Sequence, residues 1–336
     1  MKTLYGNKLI INPDTGQILD KIPVGNWIID YNPQTGYSLI KSQPFKIPSK
    51  LYGNPEKEVD RFIKSYHTFD KNLGISLVGL KGSGKSITAQ LICIKSQLPV
   101  IMIGESYGDT ENLIDYIQSI DESFVLFIDE YDKKFSDYRE QNKLLSLMDG
   151  MNSTNSKKIF VFTSNDGNRI NDYMKNRLGR IRYLVDYTRM SDELINEVID
   201  DLLEDTSKKE QIINICKFVG DMNMDSLIGL IKECNLFYDN TPYELIKVMN
   251  LQPESRSYTL KVYKKQTNEE IYSDVINWNN ISSVSFYDEN DDYVDYERDE
   301  YNIVNYEGET ATIFTNDGEY KFKITLKIDD RLKYLV

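Results

Sequence analysis

The spacing of apolar residues changes several times along the chain, and each change predicts a different kind of element. The first fifty residues hold short apolar runs around two similar segments, Ile11-Asn-Pro-Asp-Thr-Gly16 and Tyr31-Asn-Pro-Gln-Thr-Gly36. Proline presets one turn dihedral and glycine supplies another, so each copy predicts a β-hairpin. Residues 55 to 70 take a helical spacing, entered at Asn54-Pro55, where a proline without an N–H costs least. From Ile75 to about Val185, short apolar runs alternate with helical patterns, which predicts a parallel α/β sheet. Residues 191 to 250 read as helices only. Ser191 is placed to cap the first, Asp225 or Ser226 to open another, and Thr241-Pro242 to open a third. From Gln252 the pattern becomes tyrosine-rich alternation, as in Tyr258-Thr-Leu-Lys-Val-Tyr263 and Thr310-Ala-Thr-Ile-Phe-Thr315. The latter turns at Asn316-Asp317-Gly318 into Tyr320-Lys-Phe-Lys-Ile-Thr-Leu326, a hairpin signal. The acidic stretch from Asp288 to Glu300 reads as a solvated loop. The pattern therefore divides into an N-terminal hairpin region (1–50), an α/β unit (51–190), a helical unit (191–250) and a C-terminal β-rich domain (251–336).

Composition narrows the chemistry. With 336 residues, 40% hydrophobic and 28% charged, the chain is long enough for more than one domain and ordinary for a globular protein. No apolar run approaches the roughly 20 residues of a membrane span, and no signal-like core follows the N-terminus, so a cytoplasmic location without membrane contact is expected. The cysteines, Cys93, Cys216 and Cys234, number three and lie far apart in helical patterns, as packing residues do. His67 is the single histidine. A histidine-based zinc site, a Ser-His-Asp triad and a Cys-His dyad would all need it, and no nucleophile motif lies near it. Asp14-Thr-Gly16 spells the aspartic-protease tripeptide, but Gln34 stands in the matching position of the second repeat, so no second copy exists. The net charge of −13 repels nucleic-acid phosphates and favours a protein over a nucleic acid as partner.

One motif carries the strongest chemistry. Gly79-Leu-Lys-Gly-Ser-Gly-Lys-Ser86 fits G-x-x-x-x-G-K-[ST], follows the apolar run Ile75-Ser-Leu-Val78 and leads into a helical segment. In that setting the backbone N–H groups around Gly79, Lys81, Gly82, Ser83 and Gly84 can surround phosphate oxygens. Lys85 would then reach the β- and γ-phosphates of ATP and Ser86 would ligate Mg²⁺. The run Phe124-Val-Leu-Phe-Ile ends in Asp129-Glu130, two carboxylates at the edge of a buried strand. Asp129 is expected to hold Mg²⁺, and Glu130 to activate water. Ile159-Phe-Val-Phe-Thr-Ser-Asn165 is a second such strand, with Asn165 placed to meet the γ-phosphate or the water. Arg177, Arg180 and Arg182 follow close together, and phosphoryl transfer commonly uses a cation supplied by a neighbouring subunit.

The order of these motifs resembles the AAA family of ATPases over roughly residues 50 to 250. Phe127-Ile-Asp-Glu-Tyr-Asp132 is similar to the family's second nucleotide motif, Leu144-Leu-Ser-Leu-Met-Asp-Gly150 to its Leu-Leu-x-x-Leu-Asp-Gly helix, and Thr163-Ser-Asn165 to its first sensor. Arg177-Leu-Gly-Arg180 resembles Arg-Pro-Gly-Arg, whose arginines act across the subunit boundary, with leucine in place of proline. The nearest types are the mitochondrial Rieske-protein translocase and related phage-encoded ATPases, although the translocase's membrane anchor is missing. Tyr52-Gly53 resembles their adenine-pocket segment, and Tyr107-Gly108 their pore loop. The resemblance implies a P-loop α/β sheet with a helical lid, ATP and Mg²⁺ as cofactors, and a homo-oligomeric ring of six subunits. The implied function is to remodel or thread a protein substrate, with a nucleic-acid motor or helicase loader as the alternative; a phage-encoded chain would work in the host cytoplasm. A scaffold that hardly turns over ATP is disfavoured by the complete set of Lys85, Asp129, Glu130 and Asn165. Residues 191 to 250 contain no arginine. A second-sensor arginine is therefore absent, and the Gly220-Asp-Met-Asn-Met224 region is the expected lid contact.

Overall fold

The computed structural model describes residues 2–5, 8–11, 19–104, 108–149, 156–167, 170, 180–219, 222–249, 256–278, 283–288, 290, 292–297, 300–307 and 310–326. Strands β1 (Lys2–Tyr5) and β2 (Lys8–Ile11) pair with each other, and the turn expected at residues 12–16 lies outside the described residues. The second copy forms the expected hairpin, β3 (Asn26–Asn32) and β4 (Gly36–Lys41). Its turn is locked by Asn32, whose side chain accepts from the Gln34 N–H at 2.8 Å, and by Gly36 at φ 80°.

This second hairpin extends the central sheet. β3 runs parallel to β6 (Val100–Ile103), and the sheet continues through β7 (Val125–Ile128), β8 (Ile159–Ser164), β5 (Leu73–Gly79) and β9 (Ile181–Tyr187), giving the order β4-β3-β6-β7-β8-β5-β9. Only the β3–β4 pair is antiparallel. Helices cover both faces, so the inner strands are apolar at successive positions rather than at alternate ones. In β8, Phe160 and Phe162 enter the core with Leu126, Ile128 and Leu113, whereas Ile159 and Val161 enter the core with Ile75, Phe62 and Ile92. The first core is closed by α3 (Thr110–Ser119) and α5 (Tyr138–Asp149), the second by α1 (Pro55–Thr68) and α2 (Lys85–Ser96).

Gly74 shows how tightly β9 is seated. A Cβ there would lie 1.9 Å from the Arg180 carbonyl oxygen and 2.7 Å from the Met148 methyl. Backbone cannot yield as a side-chain tip can, so Gly74→Ala is expected to lower stability by about 3 kcal/mol, at the upper end of ordinary overpacking. Urea denaturation followed by circular dichroism checks it; an unchanged midpoint would mean that β9 is free to shift.

The helical unit comprises α6 (Asp192–Leu202), a 3₁₀ turn (Thr206–Lys208), α7 (Lys209–Val219), α8 (Met224–Leu236) and α9 (Pro242–Val248). Ser191 caps α6 through the Leu194 N–H, and Thr241 forms a capping box with Glu244 ahead of Pro242, as the sequence predicts. The helix expected to open at Asp225 or Ser226 opens earlier. Asn223 is its cap, accepting from the Ser226 N–H at 2.7 Å, because a carboxamide at N-cap reaches the N3 donor.

In the C-terminal part, β11 (Glu270–Trp278), β10 (Arg256–Lys264), β16 (Tyr320–Leu326), β15 (Thr310–Thr315) and β14 (Tyr301–Glu307) form an antiparallel sheet in that order. A separate hairpin, β12 (Ser283–Tyr287) and β13 (Tyr293–Glu297), packs Val284, Phe286 and Tyr296 against one face of it. The acidic stretch read as a loop thus contains a strand. Tyr296 is buried among Phe286, Tyr320 and Phe322 and donates to Asp317 at 2.6 Å, so alternation within the stretch supplies an apolar face that its net charge hides. No helix among the described residues is long and apolar enough to cross a membrane.

Candidate nucleotide site

Strand β5 ends at Gly79 and α2 begins at Lys85, and the turn between them depends on positive φ at Gly79 (146°), Gly82 (75°) and Gly84 (94°). A Cβ on Gly79 would stand 2.3 Å from the Tyr187 carbonyl carbon, so glycine here also allows β9 to pass. The loop leads into the N-terminus of α2, where free N–H groups and the helix dipole favour an anion.

Lys85 is 6% exposed and donates to the carbonyl oxygens of Gly79 and Leu80, both at 2.6 Å. Burial lowers its pKa, while Asp129, Asp132 and Glu130 raise it. Ser86 Oγ donates to Asp129 Oδ1 at 3.4 Å, and the same Asp129 oxygen accepts from the Thr163 hydroxyl. The Thr163 hydroxyl also accepts the Glu130 N–H at 2.9 Å, which ties the end of β7 to that of β8. Glu130 leaves the strand at φ 51° and stands at the N-cap position of the short helix α4 (Tyr131–Lys134), its side chain free of the helix N–H groups. Its Oε1 accepts from Lys133 Nζ at 2.6 Å and Asn165 Nδ2 at 3.2 Å. The Lys133 ammonium, foremost among several groups, holds the Glu130 carboxyl below the usual range, so it is ionised near neutrality as a base requires. Asp132, buried at the foot of the site, accepts the Asn165 N–H at 3.3 Å.

These groups share one cleft of about 400 Å³, lined by the loop from Lys81 to Ile87 together with Asp129, Glu130, Thr163 and Asn165, and by Met224 and Asp225 from the helical unit. Asp225 donates its N–H to the Gly82 carbonyl at 3.3 Å, and a Cβ on Gly82 would meet its carboxylate at 2.5 Å. Thus the N-terminus of α8 overhangs the loop at and just beyond the expected lid contact; Gly220 and Asp221 lie outside the described residues.

Other predicted residues stand elsewhere. Tyr52 and Gly53 do not line that cleft; Tyr52 donates to Asp201 at 2.6 Å and the Gly53 N–H to Glu197 at 2.9 Å, both on α6. Partial burial and the Asp201 bond push the Tyr52 phenol up to about 12. Arg180, 8% exposed, precedes the residue paired with Gly74, whereas Gly79 pairs with Tyr187 at the other end of the strand. Five residues of strand at 3.3 Å each separate Arg180 from its own phosphate loop by about 17 Å. Arg177 and Tyr107 lie outside the described residues. The sequence reading missed Thr163, Asp132 and Lys133 as site residues. Two of them lie inside quoted motifs, but only the side-by-side placement of β7 and β8 reveals their hydrogen bonds.

The residues fit a magnesium ion. A serine hydroxyl and one carboxylate converge beside the phosphate loop, and Mg²⁺ uses few protein ligands, filling the rest with water and phosphate oxygens. Among the described residues there is no cluster of three or more His, Cys, Asp or Glu that would form an all-protein metal cage.

A phosphate loop between strand and helix, two carboxylates at the tip of the next strand but one and a helical cover define a P-loop nucleotide-binding domain of the α/β class. Residues 75–186 match the family described as ATPase family associated with various cellular activities (AAA), so this part of the chain is similar to an AAA ATPase domain. The chain is also similar to the uncharacterized AAA domain-containing protein ycf46 of Trieres chinensis, 32% identical over 104 residues, which cover 26% of this chain and 21% of that protein. The chain therefore spans about a fifth of the length of the relative it matches. The family implies nucleotide binding and ATP hydrolysis, and its members are typically oligomeric.

Proposed function

We infer that the chain is a Mg²⁺-dependent ATPase working as a homo-oligomeric ring, of six subunits by resemblance, that remodels or threads a protein substrate. The observation that supports this best is the convergence of Lys85, Ser86, Asp129, Glu130 and Asn165 in one cleft at the carboxyl edge of three adjacent strands. Lys85 would exchange its two carbonyl partners for the β- and γ-phosphates. Ser86 and Asp129 would hold Mg²⁺, which neutralises phosphate charge when bound. Glu130 would take a proton from water that Asn165 helps to orient. Met224 and Asp225 would feel the nucleotide arrive, because a phosphate at Gly82 crowds and repels the Asp225 carboxylate; this couples the lid to the nucleotide state. Tyr52 and Gly53, fixed to α6, would meet the adenine where the lid joins the sheet. Arg177 and Arg180 would act on a neighbouring subunit's nucleotide, a role consistent with the distance of Arg180 from its own loop.

The second reading, a nucleic-acid motor or loader, is favoured by one local feature, a lysine-bearing face on the C-terminal sheet. A Lys85→Ala variant tests the shared core. Losing a charge-assisted contact to phosphate of about 2 kcal/mol should weaken binding of a non-hydrolysable ATP analogue by more than tenfold and abolish turnover. Calorimetry beside a phosphate-release assay measures both, and undiminished binding would overturn the placement of ATP on this loop.

A further inference from the structure

The C-terminal sheet has one face covered by the β12–β13 hairpin and another whose residues form ordered rows. Register places Tyr263 opposite Lys321 and Lys321 opposite Phe314. Two residues along, Lys261 stands opposite Lys323, and Lys323 opposite Thr312. Two further, Thr259, Thr325 and Thr310 align, with the last two hydroxyls 2.8 Å apart. All point away from the core, since the residues between them, Leu260, Val262, Ile313, Phe322 and Ile324, are the buried ones.

Cations lie against the rings. Lys321 Nζ is 4.7 Å from the Tyr263 ring centroid and Lys323 Nζ 5.9 Å, while Lys265 Nζ is 5.0 Å from that of Phe314. Glu270 accepts from Lys261 Nζ at 2.9 Å and from the Tyr263 hydroxyl at 3.1 Å. Lys321 bonds the uncharged side chain of Asn268, and neither it nor Lys323 forms an ion pair among the described residues. Like charges directly opposite each other destabilise a sheet, and Lys261 faces Lys323 in that way. The arrangement puts a local excess of positive charge on a chain whose net charge is −13.

The geometry points to this face as a binding surface for single-stranded nucleic acid. Rows two residues apart are separated by about 7 Å along the strands, a spacing that lets successive phosphates meet successive lysines. Tyr263 and Phe314, on either side of Lys321, offer half-exposed rings on which bases can stack, and stacking with backbone charge contacts is how single strands are held without sequence preference. An acidic protein surface would match the lysines, whereas a single strand supplies regularly spaced planar bases for both rings as well as the charge. The face would tether the ATPase to nucleic acid, and it is independent of the nucleotide-site reading, because no residue of it lies in that cleft.

The test is fluorescence anisotropy of the full chain, without ATP, against a labelled oligothymidylate of about 20 nucleotides. Binding should weaken with salt, with a log–log slope of about −0.7 for each phosphate neutralised, or about −3 for four lysines. Lys321→Gln with Lys323→Gln should reduce affinity at low salt at least tenfold and cut the slope by about 1.4. Tyr263→Leu should cost about fivefold or more with little change in slope. Unchanged melting and ATPase rate in the variants establish that the fold and the nucleotide site are intact. Absent binding, binding indifferent to the lysines, or equal competition by polyglutamate of matched charge would overturn the assignment. So would loss of self-association in the lysine variant without loss of oligonucleotide binding, which would give the face to a second copy's acidic hairpin.

Discussion

A Glu130→Gln protein is expected to bind ATP as tightly as the native chain while hydrolysing it about 10²- to 10⁴-fold more slowly, the range that general-base catalysis contributes. The substitution keeps an oxygen for the Asn165 amide, at 3.2 Å, and leaves Lys85, Ser86 and Asp129 untouched. What it removes is the negative charge that Lys133 holds in place at 2.6 Å and that makes the group a proton acceptor. Single-turnover hydrolysis, set beside calorimetry with a non-hydrolysable analogue, separates the two effects. If binding fell as far as turnover, Glu130 would be part of the nucleotide cradle and its role as base would be wrong. If the chain works as the proposed ring motor, the hydrolysis-blocked variant should also retain its client, and used as a trap it reports whether protein or nucleic acid is the substrate.

An Arg177→Ala protein should lose about 10³-fold in turnover, the scale of an arginine finger, while each subunit keeps its own affinity for ATP. The case rests on direction. Arg180, three residues further on, stands at the strand end about 17 Å from its own phosphate loop and is itself poorly placed to serve that loop. In mixed rings an Arg177→Ala subunit beside a Glu130→Gln subunit makes one interface with both groups and another with neither, and some hydrolysis should return. A surface ion pair worth about 1 kcal/mol or less would instead leave Arg177→Ala nearly as active as the native protein. An inactive variant that folds and assembles but regains nothing in verified mixed rings would place the arginine's action within its own subunit.

Much of this protein was legible in its sequence because the relevant physics is local. The glycines of the phosphate loop mark backbone that must take positive φ, and the strand before it and helix after it declare themselves by apolar spacing. The same holds for Ser191 and Thr241, whose short side chains cap the helices that follow them. Even the parallel sheet is written as apolar runs too continuous for a one-sided strand.

Contacts between distant segments were decided by the tertiary structure alone. Which strands neighbour one another determines that Thr163 bridges Asp129 and Glu130, and no local pattern distinguishes that threonine from any other in a buried strand. The second N-terminal hairpin could join the central sheet only because β6 offered a free edge, a property of strand order rather than of residues 26–41 themselves. Tyr52 reads as an adenine contact by resemblance, and only the tertiary structure shows that its hydroxyl bonds Asp201, a partner 149 positions away. The net charge of −13 is likewise a sum over all residues, whereas what a partner meets is one face. Strand register gathers Lys261, Lys321 and Lys323 onto a single surface and sends the acidic hairpin to the other, because successive side chains alternate between the two sides of a sheet and only pairing decides which residues share a side.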